Sequence, residues 1–384
     1  MRILQVIPAL GAGGAEQAVI DINEALIKAG HKSYVVSSGG DRVAAVEAAG
    51  GIHITMPAAS KNPLQIWANA KKLKAIIRQE GITVIHARSR APAWSAWLAA
   101  RWCKLPFVTT FHAAYSYGNV LKQRYNSVMT RGARVIAISD FIAQHVREAY
   151  GVPPERIVTI YRGIDLTHFD RAAVTPERRE TLRTLWKVMP NRPIILLPAR
   201  LTRIKGQDVL IAAMCHLMAQ EQAGDSVVVL IGADQGRKHY VRELLEQAVS
   251  GRLSDRVVIA DHCDDMPAAY ALASLVVVPS LVPEGFGRVP VEAQAMGVPV
   301  IASDLGATRE TVLPDVTGWL VPPDDPIVLA EKIHAVMQLP PEVRMRLGQQ
   351  AAARAHEKYA LPMMTAATLA VYHDVSKVAE KAES

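Results

Sequence analysis

Short apolar runs alternate with helical patterns along most of the chain, and this alternation narrows the possible folds more than any other feature. Strand-like runs at residues 3–8, 33–37, 52–56, 83–86, 107–111, 134–139 and 157–161 are separated by helical patterns at 15–29, 42–49, 64–79, 92–102 and 140–150. The order resumes with strands at 194–198, 226–231, 257–260 and 275–278 and helices at 208–220, 240–250 and 266–273. Strands joined through helices pair in parallel and are covered on both faces, which is why they lack period-two alternation. Two α/β units follow. The charged passage 170–192 reads as poor in regular structure, so the boundary is placed there: residues 1–175 form one domain and 176–361 another. The tail, about 362–384, is helical in pattern with no strand after it.

A chain of 384 residues with 50% hydrophobic and 21% charged residues has enough material for two buried cores. Cys103, Cys215 and Cys263 are widely spaced and form no CxxC pair, which argues for a reducing compartment and against a disulfide frame or zinc site. The first residues, MRILQVIPALGAGG, carry one basic residue and a run broken at Pro8, the pattern of a first strand and not of a signal peptide. No uninterrupted apolar stretch approaches the ~18 residues of a membrane span, so a cytoplasmic location is expected. Charge is uneven: residues 1–175 carry a net +10 and residues 176–384 a net −3, within the +7 of the whole chain. The first half is therefore expected to meet something anionic.

The stretch 276–299, VVVPSLVPEGFGRVPVEAQAMGVP, reads as a buried strand, a Pro- and Gly-containing loop and a helix ending near Gly297. Glu284 lies in the loop and Glu292 in the helix. Ligands of open α/β sheets collect beyond the carboxyl ends of strands, so both acids are candidate ligand contacts. Arg200 and Lys205, in PARLTRIKG, follow the strand 194–198. Two cations placed at a strand end suit an anionic ligand. Gly11-Ala12-Gly13-Gly14-Ala15-Glu16 follows the first strand and opens a helix, an arrangement that lets backbone approach a phosphate. A dinucleotide fingerprint would need a small residue where Glu16 stands. Metal ligation finds little support: Asp265 is explained as a helix cap, and His262, Cys263 and Asp264 lack a zinc spacing.

Glu284 and Glu292 with seven residues between them, the Glu284-Gly285-Phe286-Gly287 run, the Arg200-x4-Lys205 pair and the GGAE loop together resemble the GT-B retaining glycosyltransferases of family 4. The resemblance implies an α/β fold of two Rossmann-like parallel-sheet domains facing each other across a cleft, the first binding the acceptor and the second the donor. It implies a metal-independent transfer of sugar, with retention, from a nucleotide-diphosphate sugar to a hydroxyl of a glycan or glycolipid in surface polysaccharide or lipopolysaccharide assembly, with the tail returning to the first domain. By the same resemblance, Gly13 and Gly14 cover the donor phosphates, Arg200 and Lys205 hold the pyrophosphate, and His262 lies near the base. Glu284, Gly285, Phe286 and Gly287 line the sugar, Glu292 binds the ribose, and His112 faces the reacting sugar, where catalytic and structural roles both stay open. Glu310 sits where relatives often carry a Glu and has no assigned role. The chain departs from the pattern at Arg162, where many relatives have Asn before Gly163. A nucleotide-sugar isomerase on the same fold and a non-catalytic sugar-nucleotide binder remain alternatives.

On the acceptor side, Arg88 and Arg90 are expected to clamp a phosphate or carboxylate while Trp94 stacks on a sugar. In the helix 64–79, Ile66, Ala70, Leu73 and Ile77 share a face that should bury, and Trp67, Lys71, Lys74 and Arg78 share another. The second face suits an anionic membrane, and equally an ordinary solvated helix. No nucleic-acid module is present in the pattern.

Overall fold

By its internal contacts the chain divides into two units, Met1–Gly163 with Leu361–Ser384, and Ile164–Ala360. The structure is a computed structural model that describes residues 1–11, 13–115 and 118–383. Ala12, within the Gly11–Glu16 loop, lies outside the described residues.

The first unit runs β1 (Arg2–Val6), α1 (Gly14–Lys28), β2 (Lys32–Ser37), α2 (Val43–Ala48), β3 (Ile52–Thr55), α3 (Pro63–Glu80), β4 (Val84–Ala87), α4 (Arg90–Cys103), β5 (Phe107–Phe111), α5 (Val120–Asn126), β6 (Arg134–Ala137), α6 (Asp140–Tyr150) and β7 (Ile157–Thr159). Its seven strands order as β3-β2-β1-β4-β5-β6-β7, every pair parallel. The order reverses between β1 and β4, and the loops leaving those two strands diverge to opposite faces and open a crevice.

The second unit runs α7 (Pro176–Leu185), β8 (Ile194–Pro198), α8 (Gln207–Ala219), β9 (Val227–Ile231), α9 (Lys238–Ser250), β10 (Val257–Ala260), α10 (Met266–Leu272), β11 (Ala273–Val278), α11 (Arg288–Ala295), β12 (Val300–Ser303), α12 (Thr308–Thr311), β13 (Trp319–Val321), α13 (Pro326–Met337) and α14 (Pro341–Tyr359). Its six parallel strands order as β10-β9-β8-β11-β12-β13, with the reversal between β8 and β11. The expected α/β class with two Rossmann-like parallel sheets is the observed one.

Local chemistry accounts for the helix ends. Asn62 accepts from Leu64 N ahead of Pro63 to start α3, and Gly81 ends it at φ 61°. Asp265 caps α10 through Ala268 N at 3.0 Å, and Asp325 caps α13 through Ile327 N and Val328 N. The passage 170–192 departs from the expectation of little structure. Thr175 accepts from Arg178 N and Pro176 sits at the first helical position, which nucleates α7; the many charges hid a helix whose buried face is chiefly Leu182.

The division of the chain at 163/164 also differs from the 175/176 expected. Ile164 bridges Ala360, the Phe169 ring packs on Tyr270, and Arg171 donates to Met296 O, so residues 164–175 belong to the second unit. The last helix, α15 (Leu361–Glu383), belongs to the first unit: Met364, Val371, Tyr372 and Val375 join Ile3, Leu26, Val84 and Val108 in one core cluster. Gly163 makes that junction possible, since a Cβ there would lie 2.7 Å from Leu361 Cα. The second core gathers Leu210, Met214 and Leu329 from helices with Leu230, Val277 and Ile301 from one face of its sheet.

Candidate active site

In the second unit, β8 and β11 are hydrogen-bonded neighbours, so residues 75–85 positions apart in sequence leave the sheet side by side. The loop after β8 carries Arg200 and the turn Arg203–Lys205. The loop after β11 carries Ser280 and Glu284. Lys205 Nζ pairs with Glu284 Oε1, and Ser280 Oγ donates to the same oxygen at 2.7 Å. Both partners keep about a fifth of their side-chain surface exposed, so a ligand can still reach them.

The backbone around this pair is braced. Leu281 N donates to Ile204 O at 2.9 Å, and the fully buried Gln207 donates to Arg200 O at 2.9 Å while accepting from Tyr240 OH. Glu284 lies in a bridge with Gly306, and its carbonyl accepts from Ala307 N. Gly206, at φ +69°, closes the turn against β11: a Cβ there would sit 2.0 Å from Pro279 O. Only glycine fits so close an approach in that conformation.

Glu292, on α11, is 9% exposed and does not join this pair. Its carboxylate accepts from Tyr270 OH at 2.9 Å and from Arg288 at 3.0 Å. Burial and the adjacent carboxylate push the Tyr270 hydroxyl well above its usual range, so it stays a donor. Arg200 is exposed beside β8, and His262 is exposed after β10, where it lies 3.0 Å from Asp264. Gly287, at φ +80°, starts α11. The Phe286 side chain is 3% exposed with its ring edge-on to Tyr359, which anchors the loop. Glu310, left without a role by the sequence, accepts through its carbonyl from Arg354 and Tyr359 OH.

In the first unit, the loops after β1, β4 and β5 surround a cavity of about 930 Å³ lined by Lys61, Ser89, Arg90, Tyr115, Lys122 and Tyr125 among others. Arg90 donates to Asn126 at 3.1 Å with its guanidinium 4.3 Å over the Tyr115 ring. The Tyr125 hydroxyl is buried with no hydrogen-bond partner among the described residues. The expected Arg88–Arg90 clamp does not form. Arg88 is 4% exposed and donates to Gln5 Oε1 at 2.6 Å, because its side chain turns back onto β1. Burial lowers its pKa from the ordinary arginine value. Trp94 is half-buried, its indole N–H on Tyr125 O and its ring against Trp97, so it supports the cavity wall instead of offering a free stacking face.

Gly13 caps α1 with an extended backbone, and a Cβ on it would meet the Glu16 carboxylate at 2.3 Å. Gly14 O accepts from Arg162 at 2.7 Å, and the same guanidinium nitrogen lies 3.0 Å from His112 Nδ1. Burial, then Arg162 and Arg88, hold the His112 pKa well below the ordinary histidine value. Its Nε2 is buried without a hydrogen-bond partner among the described residues. On α3, Ala70, Leu73 and Ile77 are buried and Ile66 is half-buried, while Trp67 is 50% exposed with Lys71 Nζ 3.5 Å over its ring.

Comparison with known proteins bears directly on these motifs. Residues 12–168 match the model of Glycosyltransferase Family 4, and residues 179–354 that of Glycosyl transferases group 1. A D-inositol 3-phosphate glycosyltransferase of Xylanimonas cellulosilytica is 32% identical over 319 residues, which span 78% of this chain and 74% of that protein. The chain belongs to glycosyltransferase family 4. A solved glycosyltransferase of Rickettsia africae superposes with a TM-score of 0.90 at 34% identity, covering 97% of this chain and 98% of that one. Anabaena HepE, solved with UDP-glucose, gives 0.83 at 25% identity, covering 97% and 100%. This glycosyltransferase therefore has the two-domain architecture of GT-B enzymes, and family membership favours transfer over the isomerase and sensor readings.

Several residues that shape the glycosyltransferase's site carried no signal in the sequence. Ser280, Tyr270 and Arg288 are ordinary residue types, and only their contacts with Glu284 and Glu292 single them out. Lys61 and Lys122 reach one cavity from segments 61 positions apart.

Proposed function

We propose that this glycosyltransferase moves a sugar from a nucleotide-diphosphate sugar to a hydroxyl of a glycan or glycolipid in surface polysaccharide or lipopolysaccharide assembly, with retention of configuration and without a metal. The observation that carries this reading is the Lys205–Glu284 pair at the β8/β11 reversal, a cation for a diphosphate beside an acid for sugar hydroxyls. Arg200 on the loop after β8 supplies a second cation, Gly285 and Gly287 line the donor sugar beside the acid, and Glu292 serves the ribose. Gly13 and Gly14 cover the phosphates, and His262 meets the base. Cations held in place before charge develops on the leaving diphosphate stabilise the transition state more than the ground state. The UDP-glucose bound by the Anabaena enzyme supports a uridine diphosphate hexose as the first donor to try. In a thermal-shift screen, one nucleoside diphosphate and its sugar should raise the melting temperature in proportion to the logarithm of ligand concentration. Product nucleotide should then appear only when an acceptor is added, at a rate EDTA leaves unchanged. Release without acceptor, or dependence on a divalent metal, would overturn the corresponding part of the reading.

The acceptor is proposed to carry an anionic group. The cavity lined by Lys61, Arg90 and Lys122 supports this, as does the phosphorylated acceptor in the name of the Xylanimonas relative. The face of Trp67, Lys71, Lys74 and Arg78 is proposed to rest on an anionic inner membrane surface. Leu64 and Trp67 are exposed on it, and each basic residue near such a surface contributes about 1 kcal/mol. Turnover of an acceptor lipid in anionic vesicles should therefore drop about tenfold in a Trp67→Ala/Lys71→Gln variant, while a soluble acceptor is glycosylated at the parental rate. Equal loss on both acceptors would remove the membrane role.

A further inference from the structure

Arg162 makes a direct contact with His112. It lies just after β7, is 7% exposed, and places one guanidinium nitrogen on both Gly14 O and His112 Nδ1. A guanidinium has only donors, so the imidazole nitrogen facing it must accept. A neutral imidazole that accepts at Nδ1 carries its proton at Nε2. That Nε2 is buried and has no partner among the described residues, although an unmade hydrogen bond on a buried donor costs about 1–3 kcal/mol. Such an orphan is kept where a ligand completes it.

We infer that Arg162 is a positioning residue that locks His112 in its neutral Nε2–H form, so that His112 serves the transfer as a hydrogen-bond donor to a substrate oxygen and not as a base. A base at Nε2 would need the lone pair there, and the contact with Arg162 puts a proton in its place. The groups around the ring reinforce the assignment. Arg162 and Arg88 are both cations that disfavour an imidazolium. His86, from β4, is buried between Tyr372 OH and Thr110 Oγ1 and is held neutral. Tyr115, on the loop after β5, has its pKa pushed up to about 12 by burial and is also neutral. The same guanidinium ties the first turn of α1 to the loop after β5, so the glycine loop and His112 are positioned by one side chain.

The tautomer is measurable without any substrate and so tests the lock apart from the reaction proposed above. In protein labelled with ¹⁵N-histidine, the resonance lost in His112→Gln should show a protonated Nε2 and an unprotonated Nδ1, with no titration between about pH 5.5 and 8. A protonated Nδ1, or a midpoint near the ordinary histidine value of about 6.5, would overturn the inference. In Arg162→Met, the same resonance should become a mixture of tautomers and begin to titrate. If that variant does not fold, Arg162→Lys, which keeps the charge and a single ammonium donor, should show the shift in weaker form. For turnover, Arg162→Met should lower kcat about tenfold with little change in donor KM, and by less than twofold in a His112→Ala background. Equal losses in both backgrounds would show that Arg162 does not act through His112.

Discussion

Glu284→Ala is expected to lower kcat/KM by about a thousandfold, and Lys205→Ala by a comparable factor. Removing one preorganised donor from a site of developing charge typically costs about 10² to 10³ in rate. Here each substitution does two things. It removes a ligand contact, and it releases the partner, since Lys205 Nζ and Glu284 Oε1 are bonded to each other and Ser280 Oγ donates to that same oxygen. Without Glu284, Lys205 loses the anchor that aims it along the loop after β8; without Lys205, Glu284 keeps only the Ser280 hydroxyl among these contacts. The losses should therefore be strongly non-additive, and the double variant should be scarcely slower than either single one. Stability should move in a different way. The pair is partly exposed, so the coupling between the two sites measured by urea unfolding should be about 1 kcal/mol, nearer to surface than to buried ion pairs. Steady-state rates with the donor found by thermal shift decide the matter. A Glu284→Ala variant within tenfold of the parent would remove Glu284 from the reaction.

The second large effect is expected at a residue that need not touch substrate. Gly206→Ala should destabilise the second unit by about 3 kcal/mol and weaken donor binding at the same time. A left-handed conformation costs a non-glycine residue about 1–2 kcal/mol, and the added methyl would have to displace backbone, since it falls 2.0 Å from Pro279 O. Any relief moves the turn Arg203–Lys205 away from β11, and with it the Lys205 ammonium from Glu284. Gly224→Ala makes the control: it shares the left-handed conformation, at φ +55°, but a Cβ there meets nothing within 4 Å. It should cost only the conformational fraction, about 1 kcal/mol, and leave donor affinity intact. Denaturant midpoints and nucleotide titrations of the two variants separate strain from contact. Equal behaviour of the two would mean that the close packing of the turn on β11 does not set the site.

Gly206 marks where local sequence stops specifying the site, because its need for glycine comes from Pro279 O, 73 positions away. The order of residues by itself determined most of the strands and helices, though not α7 or the elements from β12 to α14, and also that the strands run parallel and that Lys205 and Glu284 each follow one of them, because apolar periodicity and the chemistry of turns are local properties. Capping by Asp265 was legible for the same reason, since it acts on backbone three residues away. Tertiary structure decided everything that depends on which way a side chain turns at a strand end. Arg88 and Arg90 are two positions apart, yet one is buried on Gln5 and the other lines the cavity. Phe286 sits inside the most recognisable motif and still packs on Tyr359, 73 positions later. Arg162 meets His112 from 50 positions away, and Tyr270 meets Glu292 from 22. Such partners are chosen by strand adjacency and by the need to satisfy buried polar atoms, and neither leaves a trace in local spacing.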